Sequence, residues 1–290
     1  MGKLTKAGIF GQAVMHFIFI VATVIFIYPI ILTLMVSFTE ETSLMRYGMR
    51  LIPQEFSLDA YRMVFSDNTI INAYVVTIIV TVVGTALSVL ICGMAGFALS
   101  VPTLRYRNKV AFFFYIPMVF SAGLLPWFLV STQWYGLTDN PLALIVPMLV
   151  SPFNVFLARN YFKTIPSSLI ESAQIDGCNP FTTLFSIIMP LSVPIIATIG
   201  LFIGLAYWND WTMALWFINT PSLYPLQFML YRITAIMDHI RQHGAMGDIQ
   251  MPTQTFRVAT LFITIGPIVL LYPFVQRYFV KGIMIGAVKG

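Results

Sequence analysis

Long apolar runs alternate with short polar segments along the chain, falling at about 13–37, 70–99, 110–133, 141–160, 182–207 and 258–278. A helix needs ~20 mostly apolar residues to cross about 30 Å of hydrocarbon, so the pattern predicts six membrane-spanning helices. Only the stretches at about 38–69 and 208–257 between them are long. The second is not uniformly polar: 211–217 and 226–236 are apolar enough for a re-entrant or surface-lying helix. Backbone that leaves the helix at membrane depth must face protein or water and not lipid. The run at 13–37 exceeds the hydrophobic region of a secretion signal and has no small-x-small cleavage site behind it. It is expected to remain as a span.

Composition sharpens the class. Hydrophobic residues make up 58% of the chain and charged ones 9%, with a mean hydropathy of +0.85, which excludes an ordinary soluble domain of this length. The expected fold is all-α and polytopic, one transmembrane domain over residues 1–290. With the N-terminus inside, Lys3, Lys6, Arg105, Arg107, Lys109, Arg159, Lys163, Arg277, Lys281 and Lys289 face the cytoplasm against only Glu171 and Asp176. The remaining six bases and nine acids fall outside, a net +8 inside and −3 outside that return the formal +5. This is the positive-inside bias, and it places both termini and the loop at about 161–181 in the cytoplasm. The pI near 9.2 is thereby a topology signal and no sign of nucleic-acid binding.

That cytoplasmic loop carries the most distinctive polar pattern. Ser168 and Glu171 have the S-x-x-E spacing of a capping box, in which the serine caps the helix and the glutamate reaches back to it. Pro166 precedes them where a missing N–H costs little, and Gly177 follows where a helix end wants a left-handed residue. A helix of about two turns is too short to stand alone in water and is expected to dock against something.

Enzymatic patterns are missing. There is no G-x4-G-K-[ST] phosphate loop, so nucleotide chemistry belongs elsewhere. His239 and His243 are four apart but lack a third ligand, which makes a solvated pair the better reading and gives no metal site. Cys92 lies mid-span and Cys178 in the cytoplasmic loop, so they are not a disulfide pair. Gly84, Ser88, Cys92, Gly96 and Ser100 recur every fourth residue. Small side chains at that period let helices approach closely, within this subunit or against a partner, in preference to lining a path. Polar residues near spans tend to face a protein interior. Asn72, Asn154, Asn209 and Asp210 are the candidates for a solute path, with Asn72 equally suited to capping a helix. Asp210 is better suited to holding its own loop by hydrogen bonds.

Glu171-Ser172-Ala173, Gly177 and Ile187-Ile188-Met189-Pro190 resemble the E-A-A-x3-G-x9-I-x-L-P signature of the membrane subunits of ATP-binding-cassette importers. Ser172 replaces the middle alanine and Met189 the leucine. The ending Lys281-Gly282-x3-Gly286-Ala287-Val288-Lys289-Gly290 is similar to the K-G-x3-G-A-V-K-G tail of the carbohydrate-importer branch, and Trp208-Asn209-Asp210 to its W-N-D element. A capped helix, a basic terminus or an interfacial tryptophan is commonplace singly; the three in family order are not. The resemblance implies a type I importer permease in a bacterial inner membrane, with Ser168, Glu171, Ser172, Ala173, Asp176, Gly177 and Pro190 coupling to an ATPase. Ala173 would sit tight in the ATPase cleft, and Lys281, Gly282, Lys289 and Gly290 would form a tail contact. The implied partners are a second, homologous permease, two ATP-binding subunits that hold ATP and magnesium, and an extracytoplasmic solute-binding protein. Membrane lipid surrounds the chain, the substrate is a saccharide, with an oligosaccharide favoured, and no cofactor binds the chain itself. A secondary transporter is the rival. It would carry ionisable residues at span centres for ion coupling, and the predicted spans have none there.

Overall fold

The computed structural model describes residues 6–66, 68–243 and 254–269. Its regular structure is helical, apart from a single β-bridge between Thr39 and Phe56 among the described residues. In chain order the helices are α1 (Lys6–Ser37), α2 (Glu41–Tyr47), α3 (Asp59–Phe65), α4 (Asn68–Ser100), α5 (Arg107–Val119) and α6 (Leu124–Leu129). A π turn, Val130–Trp134, extends α6, and two 3-10 turns within Pro141–Met148 lead into α7 (Pro152–Phe162). Then come α8 (Ser167–Ile175), α9 (Pro180–Thr182), a π turn Thr183–Ile188, α10 (Met189–Leu191) and α11 (Val193–Asn209). The last are α12 (Thr212–Phe217), α13 (Leu226–His243) and α14 (Gln254–Val269).

Among the described residues two unbroken helices are long and apolar enough to cross a membrane, Val14–Ser37 within α1 and Asn68–Ser100. The third, fourth and fifth predicted spans are each broken. Arg107–Val119 meets Leu124–Trp134 at 116°, Pro141–Met148 meets Pro152–Phe162 at 46°, and Pro180–Leu191 meets Val193–Asn209 at 89°. Proline removes an intrahelical donor and clashes with the preceding turn, and the breaks follow its positions. Pro117 lies inside α5, Pro152 opens α7, and Pro190 and Pro194 flank the bend at Ser192. Gly123, with φ of +86°, turns the chain into α6. The sixth predicted span, 258–278, begins earlier, in Gln254–Val269, and its remainder lies outside the described residues. Both apolar parts of the 208–257 loop are helical, as α12 and most of α13.

The chain divides into two compact units, one of Met1–Asn68 with Arg232–Ile265, the other of Thr69–Tyr231 with Gly266–Gly290. In the first, α1 leaves most of its apolar side chains exposed, as suits a helix whose surroundings are lipid or protein and not water. Phe38 stacks on Phe56 and Tyr61, with ring centroids 5.5 and 5.1 Å away. The Glu41 carboxylate accepts from the Gln254 and Thr255 amides at 3.0 and 2.9 Å and from the Thr255 hydroxyl at 2.7 Å. It caps α14 across the sequence, satisfying first-turn donors that have no partner inside their own helix.

The second unit explains the small-residue stripe. A Cβ at Gly84 would lie 2.6 Å from the Tyr207 ring, and one at Gly96 would lie 2.6 Å from the Ala158 Cβ and 3.0 Å from the Arg159 amide nitrogen. The buried Tyr207 hydroxyl donates to the Ile145 carbonyl at 2.9 Å and lies 3.3 Å from the Ser88 hydroxyl. The stripe therefore seats α7 and α11 against α4 within this chain, which selects intramolecular packing from the alternatives.

Candidate functional site

The short helix expected in the loop at about 161–181 is present as α8, but its start differs from the capping box expected of Ser168 and Glu171. Pro166 occupies the N-cap in an extended conformation, φ −56° and ψ 131°, and the helix begins at Ser167. Ser168 is thus already inside the first turn, too late in the chain to cap. Proline at the N-cap offers no side-chain acceptor to the first-turn amides, and none caps α8. The Ser168 and Glu171 side chains are exposed and make no hydrogen bond among the described residues.

The other end matches expectation closely. Gly177 has φ of +79°. Its N–H donates to the Gln174 carbonyl at 3.1 Å, and the Cys178 N–H donates to that of Ala173 at 2.8 Å. This is the Schellman pairing, which a left-handed residue after the cap makes possible. Asp176, the C-cap, is exposed and donates its own N–H to the Ser172 carbonyl at 2.9 Å.

Ala173 is 3% exposed and faces its own chain. The outward surface is built instead from Glu171, Ser172 and Asp176, with Leu169, Ile175 (86% exposed) and Phe181. Those three large apolar side chains were readable as unusual residues for a polar loop. Behind α8 lies a groove of about 410 Å³ lined in part by Phe97, Leu104, Arg105, Ile170, Gln174 and Cys178. Pro190 is exposed beside the bend at Ser192. The tail residues Lys281, Gly282, Lys289 and Gly290 lie outside the described residues.

The four path candidates do not share one environment. Asn72 sits inside α4, whose first residue is Asn68, so it caps nothing; it is exposed. Asn154 is 5% exposed within α7, its amide carbonyl without a hydrogen-bond partner. Asn209 is exposed, donates to the Leu205 carbonyl at 2.9 Å and accepts from the Gln227 amide at 3.2 Å. Asp210 holds its own loop: it accepts from the Thr212 hydroxyl at 2.6 Å and the Met213 amide at 3.0 Å, securing the start of α12. Trp208 beside it is buried, and Trp211 stacks on Tyr231 with centroids 4.3 Å apart.

Replacing Asp210 with alanine is expected to cost about 1 kcal/mol through loss of that cap, read as a lower melting temperature, with Asp210→Asn close to wild type. A raised KM for uptake in Asp210→Asn at unchanged stability would instead show solute contact.

One anchor gave no sequence signal. Asp139, with φ of +51°, accepts from the Asn219 amide at 2.9 Å, the Thr220 amide at 2.8 Å and the Thr220 hydroxyl. The Thr220 hydroxyl first, then the two amides, holds its carboxyl below the usual carboxylate range. Some 80 positions separate these partners, and no local spacing joins them.

The chain is similar over residues 4–285 to the family described as binding-protein-dependent transport system inner membrane component. It is 37% identical over 98% of its length, and all of the relative's, to the polygalacturonan/rhamnogalacturonan transport system permease YtcP of Bacillus subtilis. It is 30% identical to the arabinooligosaccharides permease AraQ of Halalkalibacterium halodurans, covering 91% of each chain. Among solved structures, it is similar to a chain of a bacterial ABC transporter involved in import of the acidic polysaccharide alginate, with a TM-score of 0.83 and 26% identity. That match covers 96% of this chain and all of the other.

Proposed function

This chain belongs to the family of binding-protein-dependent transport-system inner-membrane components, and on that premise we propose that α8 is the lever through which a partner ATPase drives it. It is a permease subunit of a carbohydrate importer of the ATP-binding-cassette type, a transport component and not itself an enzyme. The observation that carries the lever is the form of α8. Its outward face is exposed and mixed apolar and polar, its inward Ala173 is packed on the chain, and its end is fixed by the Gly177 cap. A push on Glu171, Ile175 and Asp176 would be transmitted inward instead of being taken up by a loose loop. ATP-driven closure of two ATPase subunits would then rock this permease against a second, homologous one. Such switching needs a lever whose contacts differ in free energy between the two states.

The cargo is proposed to be an oligosaccharide carrying carboxylates, delivered by an extracytoplasmic binding protein. Support comes from two similar proteins whose names specify polygalacturonan/rhamnogalacturonan and alginate. A neutral arabino-oligosaccharide is the second reading, favoured by the similarity to the arabinooligosaccharides permease. The spans are proposed to number six, with both termini in the cytoplasm of a bacterial cell.

Reconstitution tests the whole reading. The full assembly, loaded with binding protein, is expected to hydrolyse ATP faster when oligogalacturonate is supplied, and this chain alone to bind no ATP. In a Cys178→Ser background, Ser172→Cys should be labelled by a membrane-impermeant thiol reagent only from the cytoplasmic side, and Ser222→Cys only from outside. Ion-driven uptake by the chain without an ATPase, or the reverse labelling, would overturn it.

A further inference from the structure

The foot of α5 and the end of α7 bring together basic side chains that nothing in the coupling reading uses. Arg107 opens α5, which has no side-chain cap, no acid in its first turn, and Lys109 following two positions later. Two cations at the positive end of a helix dipole oppose it. From α7 come Arg159, whose Nε donates to the Leu99 carbonyl at 3.2 Å, and Lys163 just beyond the helix end. α5 packs against α7, and partial desolvation, then the charges of Arg159 and Arg107, lower the Lys163 pKa. No ion pair joins Arg105, Arg107, Lys109, Arg159 or Lys163 to a carboxylate among the described residues. The cluster is an uncompensated positive site.

Its surroundings decide what fills it. Above the foot, α5 exposes Phe112, Phe113, Tyr115, Ile116 and Val119, an apolar face suited to acyl chains. At the foot itself Tyr106 is exposed, with the Arg105 and Lys109 charges 5.5 and 5.6 Å from its ring centroid. An exposed tyrosine with bases at the end of an apolar helix marks the headgroup layer. Basic pockets between spanning helices at that depth take acidic lipid headgroups. We propose that Arg107, Arg159 and Lys163 form a specific site for the phosphate of an anionic phospholipid whose chains lie along α5.

The test uses the purified complex containing the full-length chain, exchanged against equal amounts of phosphatidylcholine and phosphatidylglycerol. Native mass spectrometry then reads the lipid retained. The wild type is expected to retain phosphatidylglycerol preferentially. Each base near a membrane surface is worth roughly a fivefold gain in anionic-lipid partitioning, so Arg107→Gln with Lys163→Gln should lower the preference by about tenfold or more. Arg50→Gln, which removes one charge elsewhere as Lys163→Gln alone does, should keep it. The single Lys163→Gln variant alters only an exposed side chain, so it supplies the answer if the double variant does not accumulate; it should lose about fivefold. No preference in the wild type, an unchanged preference in the Lys163 variants, or an equal loss in Arg50→Gln would overturn the site. So would loss of ATPase copurification with lipid preference intact, which would assign the cluster to a protein contact.

Discussion

Gly96→Leu is expected to abolish accumulation of the folded permease. A Cβ at this position would lie 2.6 Å from the Ala158 Cβ, 3.0 Å from the Arg159 nitrogen and 3.1 Å from the Val155 carbonyl oxygen. Two of those three atoms are backbone, so no side-chain rotation relieves the clash. α4 and α7 would have to separate, breaking the bond from Arg159 Nε to the Leu99 carbonyl and the edge-on contact of Phe97 with Phe162. Overpacking by a few methylenes typically costs about 1–3 kcal/mol, and parting two buried helices costs more. Against a total stability of about 5–15 kcal/mol, the loss should be visible as absent or aggregated protein in detergent-solubilised membranes. Gly11→Leu is the control, because nothing lies within 4 Å of its Cβ position on α1. Equal accumulation of both variants would refute the α4–α7 seam.

Gly177→Leu should leave the permease folded and stop it working. Here no atom lies within 4 Å of an added Cβ, so the penalty is conformational: φ of +79° costs a residue with a side chain about 1–2 kcal/mol. The Gly177 and Cys178 amide bonds that close α8 would be given up or distorted, and the exposed Ile175–Asp176 tip would point elsewhere. Uptake and ATPase copurification are expected to fall steeply at matched membrane levels, with Gly177→Asn retaining much of both because asparagine tolerates the left-handed region. Glu171→Ala gives a clean comparison, since that carboxylate makes no capping bond. Any uptake it loses reports a contact with a partner and not a weakened helix. Wild-type uptake by Gly177→Leu would sink the lever.

The features legible in the amino-acid sequence follow from local chemistry. Apolar runs long enough to span, the need for glycine shortly after Ile175, and the loop-holding role of Asp210 depend on neighbours within a few positions. The bends are different. Hydropathy measures how long a run is and says nothing of its direction, so Pro190 and Pro194 left a single predicted span that the chain turns through 89° at Ser192. The capping register failed for a similar reason: a serine at the S-x-x-E spacing is accommodated inside a first turn as well as at its cap, and Pro166 decided where α8 begins.

The amino-acid sequence by itself determined that this chain lives in a membrane, where its polar loops fall, and which signature places it among importer permeases. Solvent preference and turn geometry are encoded residue by residue. Only the tertiary structure decided which side of α8 faces outward, that Ala173 turns inward, and that Gly84 and Gly96 serve contacts within the chain. It alone joined Glu41 to Thr255 across 214 positions and gathered Arg107, Arg159 and Lys163 at one helix foot. These pairings arise from how helices pack, and packing couples residues by surface shape and charge regardless of their separation along the chain.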